Sequence, residues 1–422
     1  MAGAGSSEPS SDRLALVYRL SQTFNSSLDL DEVLNRVMDE VIGVTGAERG
    51  FVMLREPDRG LIFAAARGMD QESIDDPEFQ ISGSVVERVA YEGEPIIASN
   101  AQMDDRFSMR HSVKVLGLRS ILCVPLAIKG KILGVVYVDN RLQTGLFTQG
   151  DLELLAAIAS SAAIAIENAR LYQVAVEKGR MERELQVARE LQASLLPSKT
   201  PQISNWEFAA YWKPAREVAG DYYDFVPLDD GRLGLVIADV SDKGMSAALF
   251  MALTRSVLRA SVAGTKSPAN GIAHANRLIC ADATRGMFVT LFYALLNPLS
   301  GDITYVNAGH NPPLLARADE NRMKALTRTG MALGVVEDPG FEERTLHLDP
   351  GDFILLYTDG VTDATDAHQQ KFGMERLQRV VLDNRREAAM GVVSALERSL
   401  EEFVGSTPPF DDVAIVVARC LK

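Results

Sequence analysis

Cysteine and basic residues are scarce in this chain of 422 residues. Its three cysteines, Cys123, Cys280 and Cys420, form no CxxC pair. This spacing excludes a disulfide framework or a thiolate zinc site and is typical of a reducing cytoplasm. Lys and Arg number 43 against 57 Asp and Glu, which gives a formal net charge of −14. A nucleic acid or an anionic membrane would call for a basic patch instead, so we expect neither as a partner.

The sequence also shows us no targeting or membrane signal. We see no apolar run that approaches the ~18 residues needed to span a bilayer. The opening letters, MAGAGSSEPSSD, lack the basic-then-apolar pattern of a signal peptide. We therefore expect residues 1–12 to be a disordered lead-in and the protein to be cytoplasmic.

The chain does have enough apolar material for two or three domains, since 47% of its residues are hydrophobic and 24% are charged. Within residues 13–170, strand-like runs such as SILCVPLAI and KILGVVYVDN flank Gly130, an arrangement typical of a hairpin. They are followed by TQGDLELLAAIASSAAIAIENARLY, which has the spacing of a long helix. The segment therefore predicts an α/β domain.

Residues 13–170 resemble a GAF domain, a small-molecule-sensing α/β module. The resemblance is carried by SVVERVAYEGEPIIASNAQMDDRF, LRSILCVPLAIKGKILGVVYVDNR and the long helix. It implies an unknown small-molecule or protein signal at this domain. We interpret Cys123 as a core thiol rather than a chromophore attachment point, and His111 as a surface residue rather than a haem ligand.

Residues 171–199 are predicted to continue the helix as a signalling linker that ends at Pro197. A seam of alternating three- and four-residue spacings runs along it: Leu171, Val174, Lys178, Met181, Leu185, Ala188, Gln192 and Leu195. Lys178 and Gln192 interrupt the seam. We favour a parallel dimeric coiled coil, with a helix packed on its own domain as the alternative.

Residues 200–422 alternate between strands and helices, which predicts an α+β domain of sheets covered by helices. The predicted strands are Glu207–Pro214, Gly231–Val240, Phe288–Leu296, Asp302–Ala308, Asp352–Thr358 and Val413–Arg419. The predicted helices are 245–263, 268–282, 371–383 and 387–403.

Acidic residues stand at the ends of several of these apolar strands. They are Asp221, Asp224, Asp239, Asp359, Asp411 and Asp412. A single acid in such a place is commonly a helix N-cap, but capping does not explain the repeated pattern. Strand ends of packed sheets can gather these charges in one cleft, where a cation or protonation must offset their repulsion. All-oxygen ligands select Mg²⁺ or Mn²⁺, and the adjacent Gly220, Gly244 and Gly360 permit close approach of the backbone.

This region resembles the PPM-type protein phosphatases, in the bacterial branch typified by the stage II sporulation phosphatase and the sigma-factor-regulating phosphatases. The blocks that carry the resemblance are ELQVARELQASLLP, VAGDYYDF, IADVSDKGMSAALFMALTR, FVTLFYA, NAGHNPPLL, GMALGV, LYTDGVTDA, KFGMERL and DDVAIVV. The resemblance implies a layered β-sandwich flanked by helices. It also implies two Mn²⁺ or Mg²⁺ ions held by Asp221, Asp239, Asp359 and Asp411, with the Val240 carbonyl beside them and Asp412 as a ligand or a supporting residue.

Three further residues near these blocks are candidates for the chemistry. Lys213 and Arg216 precede VAGDYYDF and are candidates to hold the substrate phosphate, with solvated surface charge as the alternative. His310 in NAGHNPP is a candidate proton donor or a hydrogen-bonding residue of the framework.

The function that we predict is a metal-dependent serine/threonine phosphatase regulated by the GAF domain. By resemblance, its substrate is a phosphoserine on an anti-sigma-factor antagonist. Two alternatives remain open at this point. A nucleotide cyclase also carries two metal-binding aspartates behind a GAF domain, and a catalytically inactive phosphatase fold could act as a binding module.

Overall fold

The computed structural model of the protein describes residues 9–70, 72–74, 81–104, 116–282 and 286–421. His111 and most of the predicted lead-in lie outside these residues, whereas residues 9–12 belong to the first helix. The chain divides into two compact units, Met1–Met181 and Glu182–Lys422.

The first unit is an α/β domain with one antiparallel sheet. Its elements are α1 (Pro9–Phe24), α2 (Leu30–Thr45), β1 (Arg49–Glu56), β2 (Gly60–Gly68), α3 (Gly83–Glu92), β3 (Ile96–Ala98), β4 (Ser120–Ile128), β5 (Lys131–Asn140) and the first part of α4 (Gln149–Leu195). The strand order is β2-β1-β5-β4-β3. Helix α2 begins where the Asp29 side chain accepts the N–H of Glu32 at 2.9 Å, and it ends at Gly46 with φ of 63°.

Both faces of this sheet are buried, because alternate side chains along a strand point to opposite faces. On one face, Val52, Leu122 and Val136 pack with apolar residues of α1, α2 and α4. On the other face, Cys123 and Tyr137 pack with α3. Cys123 is fully buried, as expected of a core thiol.

Helix α4 contains a longer apolar stretch than we expected from the sequence. An 18-residue window of the helix reaches a mean hydropathy of 1.4, which makes it long and apolar enough to cross a membrane by length and composition alone. In the structure 44% of that window is buried. Leu155, Ile158 and Ile166 belong to the hydrophobic core of the first unit, so packing within the domain accounts for their apolar character.

The second unit contains two five-stranded antiparallel sheets and most of the helices. Its strands are β6 (Trp206–Lys213), β7 (Tyr222–Pro227), β8 (Leu233–Val240), β9 (Val289–Leu296), β10 (Asp302–Ala308), β11 (Leu314–Ala316), β12 (Met323–Ala325), β13 (Arg344–His347), β14 (Phe353–Tyr357) and β15 (Val413–Cys420). Its helices after α4 are α5 (Met245–Val262), α6 (Pro268–Asp282), α7 (Asp359–Thr362), α8 (Gly373–Asp383) and α9 (Ala389–Val404). One sheet, which we call the β8 sheet, has the order β13-β10-β9-β8-β7, and the other, the β15 sheet, has the order β12-β11-β14-β15-β6.

The two sheets pack face to face, with helices on both outer faces. Phe208 of the β15 sheet meets Phe225 of the β8 sheet edge to face, with ring centroids 5.8 Å apart, within the core between the sheets. The outer face of the β8 sheet packs on α5 and α6, and that of the β15 sheet packs on α8 and α9. The expected α+β architecture, a layered β-sandwich flanked by helices, is confirmed.

Candidate active site

The register of the β8 sheet places Asp221 across from Asp239. Tyr222 of β7 pairs with Ala238 of β8, so the next antiparallel positions are Asp221 and Asp239. A Cβ on Gly220 would lie 3.1 Å from the carbonyl oxygen of Val240. The glycine therefore lets the chain before β7 run close to the end of β8, as the sequence predicted.

The β15 sheet brings Asp359, Asp411 and Asp412 to its own end. Asp359 begins α7 directly after β14, and the other two acids precede β15. A Cβ on Gly360 would overlap the carbonyl oxygen of Asp412. Only glycine at position 360 allows these two segments to lie in contact.

The electrostatics show that acids of the two sheets face one another. Burial, and next the neighbouring Asp239, raise the pKa of Asp221 well above its usual range. Burial, and next the negative charge of Asp359, raise the pKa of Asp239 to about 7. Burial and the charge of Asp411 also raise the pKa of Asp359. Without a cation, the raised pKa values of Asp221 and Asp239 favour protonation of this pair near neutral pH.

These residues form a suitable set of donors for a hard divalent cation. All are carboxylates, and one oxygen of Asp221, Oδ2, is buried without a hydrogen-bond partner. A buried carboxylate oxygen is costly unless a cation or proton meets it. In the part of the chain that the structure describes, no three Asp, Glu, His or Cys side chains converge closely enough to form a ready-made cage. The all-oxygen donor chemistry fits Mg²⁺ or Mn²⁺.

Two of the acids, Asp412 and Asp411, already have partners in the protein. Asp412 uses both carboxylate oxygens to accept backbone N–H groups, from Ala215 at 2.8 Å and from Gly220 at 2.7 Å. Its carboxylate thereby holds the loop that leads to Asp221. The Nζ of Lys243 lies 2.9 Å from Asp411 Oδ2 and donates to the Phe410 carbonyl at 2.8 Å. An ammonium thus lies beside Asp411 at the edge of the acidic group.

His310 is part of the framework between the sheets. It is 1% exposed, its Nδ1 lies 2.8 Å from the Thr290 hydroxyl, and its Nε2 lies 3.2 Å from the Tyr357 carbonyl. Because a carbonyl only accepts, Nε2 carries the proton and Nδ1 accepts from the hydroxyl. Burial lowers the pKa of His310 to about 4, so the ring is neutral at physiological pH. The structure therefore favours the framework role over the proton donor.

The remaining charged candidates lie in different surroundings. Lys213, at the end of β6, forms an exposed ion pair with Glu401 at 3.1 Å. Arg216 is exposed and has no ion pair among the described residues. Asp224 lies inside β7, where the Arg259 guanidinium binds both of its oxygens at 2.6 and 2.7 Å. Of the acids selected at strand ends, Asp224 is therefore satisfied by arginine rather than aimed at the cleft.

Helix capping, the simpler explanation for Asp239, is excluded. Helix α5 begins after Gly244, whose φ is 82°, rather than at Asp239. One sequence interpretation needs correction at this site. Gln192 is 5% exposed and bonds to the backbone of Ala219, so it packs on its own domain rather than on a coiled-coil partner.

Several residues around the site were missed from the sequence. Thr358 is fully buried, and its hydroxyl accepts the Ala414 N–H at 2.9 Å. Trp212 Nε1 donates to the Asp221 carbonyl at 2.9 Å. A cavity of about 310 Å³ adjoins Asp411 and Gly360. No local pattern signals these features, because each depends on residues far apart in the chain.

Comparison with known proteins places both units in families. A GAF domain model matches residues 27–167, and the model of stage II sporulation protein E (SpoIIE) matches residues 229–421. Protein IcfG of Synechocystis sp. is 31% identical over 270 residues, which are 57% of this chain and 42% of IcfG. Phosphoserine phosphatase RsbU of Bacillus subtilis is 30% identical over 238 residues, which are 56% of this chain and 70% of RsbU.

The solved structures agree on the fold. The SiaA-PP2C domain of Pseudomonas aeruginosa superimposes with a TM-score of 0.52 at 20% identity, and the match covers 58% of this chain and 98% of that domain. At this identity the likeness shows the fold alone. The SpoIIE model and the match to RsbU favour the phosphatase interpretation over a nucleotide cyclase. With a GAF domain ahead of a PP2C-like sandwich and an extended match to RsbU, the chain belongs to the SpoIIE family of PP2C-type phosphatases.

Proposed function

We propose that this protein is a GAF-regulated, metal-dependent phosphatase that hydrolyses phosphoserine on a protein substrate. Asp221, Asp239, Asp359 and Asp411 hold two Mn²⁺ or Mg²⁺ ions in this proposal. The observation that carries it is the meeting of carboxylates from both sheets at one end of the sandwich, together with the partnerless buried oxygen of Asp221.

Bound divalent ions would supply Lewis-acid activation of water and would offset the negative charge of the phosphoryl group. The protein's own residues orient this chemistry. The Val240 carbonyl, beside Gly220, is a further oxygen donor at the end of β8. We assign a positioning role to Asp412, because both of its oxygens already accept backbone N–H groups.

The phosphate-binding residue is the less defined part of the site. Arg216 is the better of the two candidates, because its guanidinium is exposed, whereas Glu401 already neutralises Lys213. A guanidinium donates two parallel hydrogen bonds to a phosphate, which suits it to this role. His310 is neutral and both of its ring nitrogens already form hydrogen bonds, so neither is available to donate a proton to the leaving oxygen.

The proposed substrate is a phosphorylated anti-sigma-factor antagonist, as the resemblance to the sigma-factor-regulating phosphatases implies; the match to the phosphoserine phosphatase RsbU supports phosphoserine as the group that is hydrolysed. We also propose that the protein is cytoplasmic, that residues 13–170 form the sensor, and that residues 200–422 form the catalytic domain. The signal at the GAF domain is a small molecule or a protein.

A parallel homodimer through α4 completes the proposal. Residues 170–184 are exposed, apart from Gly179, which is half-buried. Leu171, Val174 and Met181 are 58%, 61% and 61% exposed within one chain, and residues of this kind at coiled-coil spacing suit a second copy. The seam is shorter than predicted, because Leu185 is half-buried and Gln192 is buried within the chain itself.

Phosphate release from p-nitrophenyl phosphate and from a phosphoserine peptide, with Mn²⁺, Mg²⁺ or EDTA, tests this function. We expect metal-dependent turnover that Asp221→Asn and Asp239→Asn abolish. Asp319→Asn is the matched control, because Asp319 is exposed and lies outside the acidic group. A folded wild-type protein with no turnover under any metal would favour the inactive binding module instead.

A further inference from the structure

The loop that leads from β6 to Asp221 is held by side chains from three different parts of the second unit. Asp412 accepts the N–H groups of Ala215 and Gly220, and Trp212 donates to the carbonyl of Asp221. The third side chain is Gln192, in the last turn of α4. This loop has no regular secondary structure of its own, so these side chains, together with the pairing of β7 with β8, hold the chain that leads into Asp221.

Gln192 makes a matched pair of hydrogen bonds with the backbone of one residue, Ala219. Its Nε2 donates to the Ala219 carbonyl at 2.6 Å, and its Oε1 accepts the Ala219 N–H at 2.9 Å. Gln192 is 5% exposed. Neither the side chain nor the Ala219 backbone has water as a ready substitute, and leaving buried polar groups unpaired is unfavourable.

The chemistry of this contact is specific to a carboxamide of glutamine length. The contact needs one donor and one acceptor at the same side-chain end. A carboxylate keeps the acceptor but has no N–H for the Ala219 carbonyl, and an apolar side chain of the same size has neither group. The contact is two residues from Asp221, whose Oδ2 has no hydrogen-bond partner of its own.

We propose that Gln192 is a positioning residue of the metal centre. By fixing Ala219 on the last turn of α4, it holds Asp221 where its partnerless oxygen meets the cation. Helix α4 thereby contributes a residue that supports the site, although it supplies no ligand. The inference rests on the proposed function in one respect, namely that Asp221 binds metal.

The test is Mn²⁺ binding to the metal-free full chain, measured by isothermal titration calorimetry. Gln192→Met keeps the size of the side chain and removes both hydrogen bonds. We expect it to weaken Mn²⁺ binding about 10- to 100-fold, the usual effect of removing a residue that supports a metal ligand. Gln192→Glu, which lacks only the donor, is a second variant with the same expected direction.

Two controls separate positioning from general stability. Gln186→Met makes the same substitution on the exposed face of α4, where the Gln186 side chain donates to Glu190 at 2.9 Å. Leu196→Ala removes a buried core side chain just past the helix end without removing the hydrogen bonds of Ala219. We expect both controls to bind Mn²⁺ within about twofold of wild type, although Leu196→Ala unfolds at a lower temperature.

The possible outcomes distinguish the two proposals. Folded Gln192 variants that bind Mn²⁺ like wild type, while Asp221→Asn loses binding, would overturn the role of Gln192 and leave the metal site intact. Equal weakening by Leu196→Ala would show that the effect is one of stability and would also overturn it. Unchanged binding in Asp221→Asn would overturn the metal assignment and this inference with it.

Discussion

Replacing Asp239 with asparagine should stabilise the metal-free protein at alkaline pH. The pKa of Asp239 is about 7 in the folded protein against a usual value of 3.8, a difference of about 3 units. At about 1.36 kcal/mol per unit, ionising Asp239 in the fold costs roughly 4 kcal/mol. Asparagine has nearly the same shape and carries no charge, so it removes this cost.

The pH dependence follows from the sign of the shift. A carboxyl with a raised pKa contributes stability that is fully present below pH 3.8, where both states are protonated, and that is lost as pH rises through about 7. The advantage of Asp239→Asn should therefore be greatest near pH 8 and about half as large near pH 5.5. Because the two proteins share every other titrating group, their difference largely cancels the opposing contribution of His310.

Differential scanning calorimetry in EDTA measures this difference. For a unit of about this size, roughly 4 kcal/mol corresponds to a rise in Tm on the order of 10 °C at pH 8. Mn²⁺ should reverse the order, because it stabilises the wild type by binding and should not bind Asp239→Asn comparably. An asparagine variant that unfolds below the wild type in EDTA at pH 8 would refute the account of crowded carboxylates.

Three further outcomes are expected. Gly360→Ala should lower the free energy of unfolding by about 3 kcal/mol and abolish turnover, because its Cβ overlaps the Asp412 carbonyl oxygen. Gly43→Ala, in open space on α2, should match wild type or gain up to about 1 kcal/mol, because alanine favours a helix; a loss of about 3 kcal/mol there in urea titrations would contradict this reason. Leu171→Glu combined with Met181→Glu should convert a dimer to a monomer in light scattering, since both side chains are exposed within one chain; a monomeric wild type at micromolar concentration, or a surviving dimer in the variant, would exclude the proposed seam. Burial raises the pKa of the Cys123 thiol, so a thiol reagent should label no more than one cysteine readily in the native protein, the half-buried Cys280, whereas all three should react in denaturant. Rapid labelling of Cys123 in the native protein would show that the core of the first unit opens.

The sequence predicts the long elements of the second unit well because their patterns are local. The predicted helix 268–282 coincides with α6, and the apolar strands β8, β9 and β15 were found within a few residues. Strands β7, β11, β12 and β13 were missed. Strands β11, β12 and β13 have three or four residues each, and at that length pairing with neighbours rather than alternation decides the structure. Strand β7 has six residues and lies in the acidic block VAGDYYDF, which was assigned only to the site.

In the site, too, the local features could be predicted from the sequence, whereas the contacts between distant residues could not. Acids at strand ends and glycines beside them are visible as letters, and the structure places Asp221 across from Asp239 and Gly360 against Asp412. The sequence does not reveal which acids already have partners. Asp224 looked equivalent to Asp221 until Arg259, 35 positions away, was seen to bind it. From the sequence, Gln192 is a polar residue that interrupts the apolar heptad pattern. Its hydrogen-bond partner, Ala219, lies outside the helix, so the pattern does not reveal the contact.

The middle of helix α4 has little burial within one chain. The core of the first unit includes α4 residues up to Ala169, and the core of the second begins at Leu196. Between them, Arg170–Glu184 is about fifteen residues of helix with little burial, interrupted by Gly179, a residue that costs about 1 kcal/mol in a helix. A helix of this length with so little burial is marginal in water. Backbone amides of this section should therefore exchange with solvent quickly in an isolated chain and slowly in a dimer, so that local folding of the helix becomes a measure of how many chains are paired.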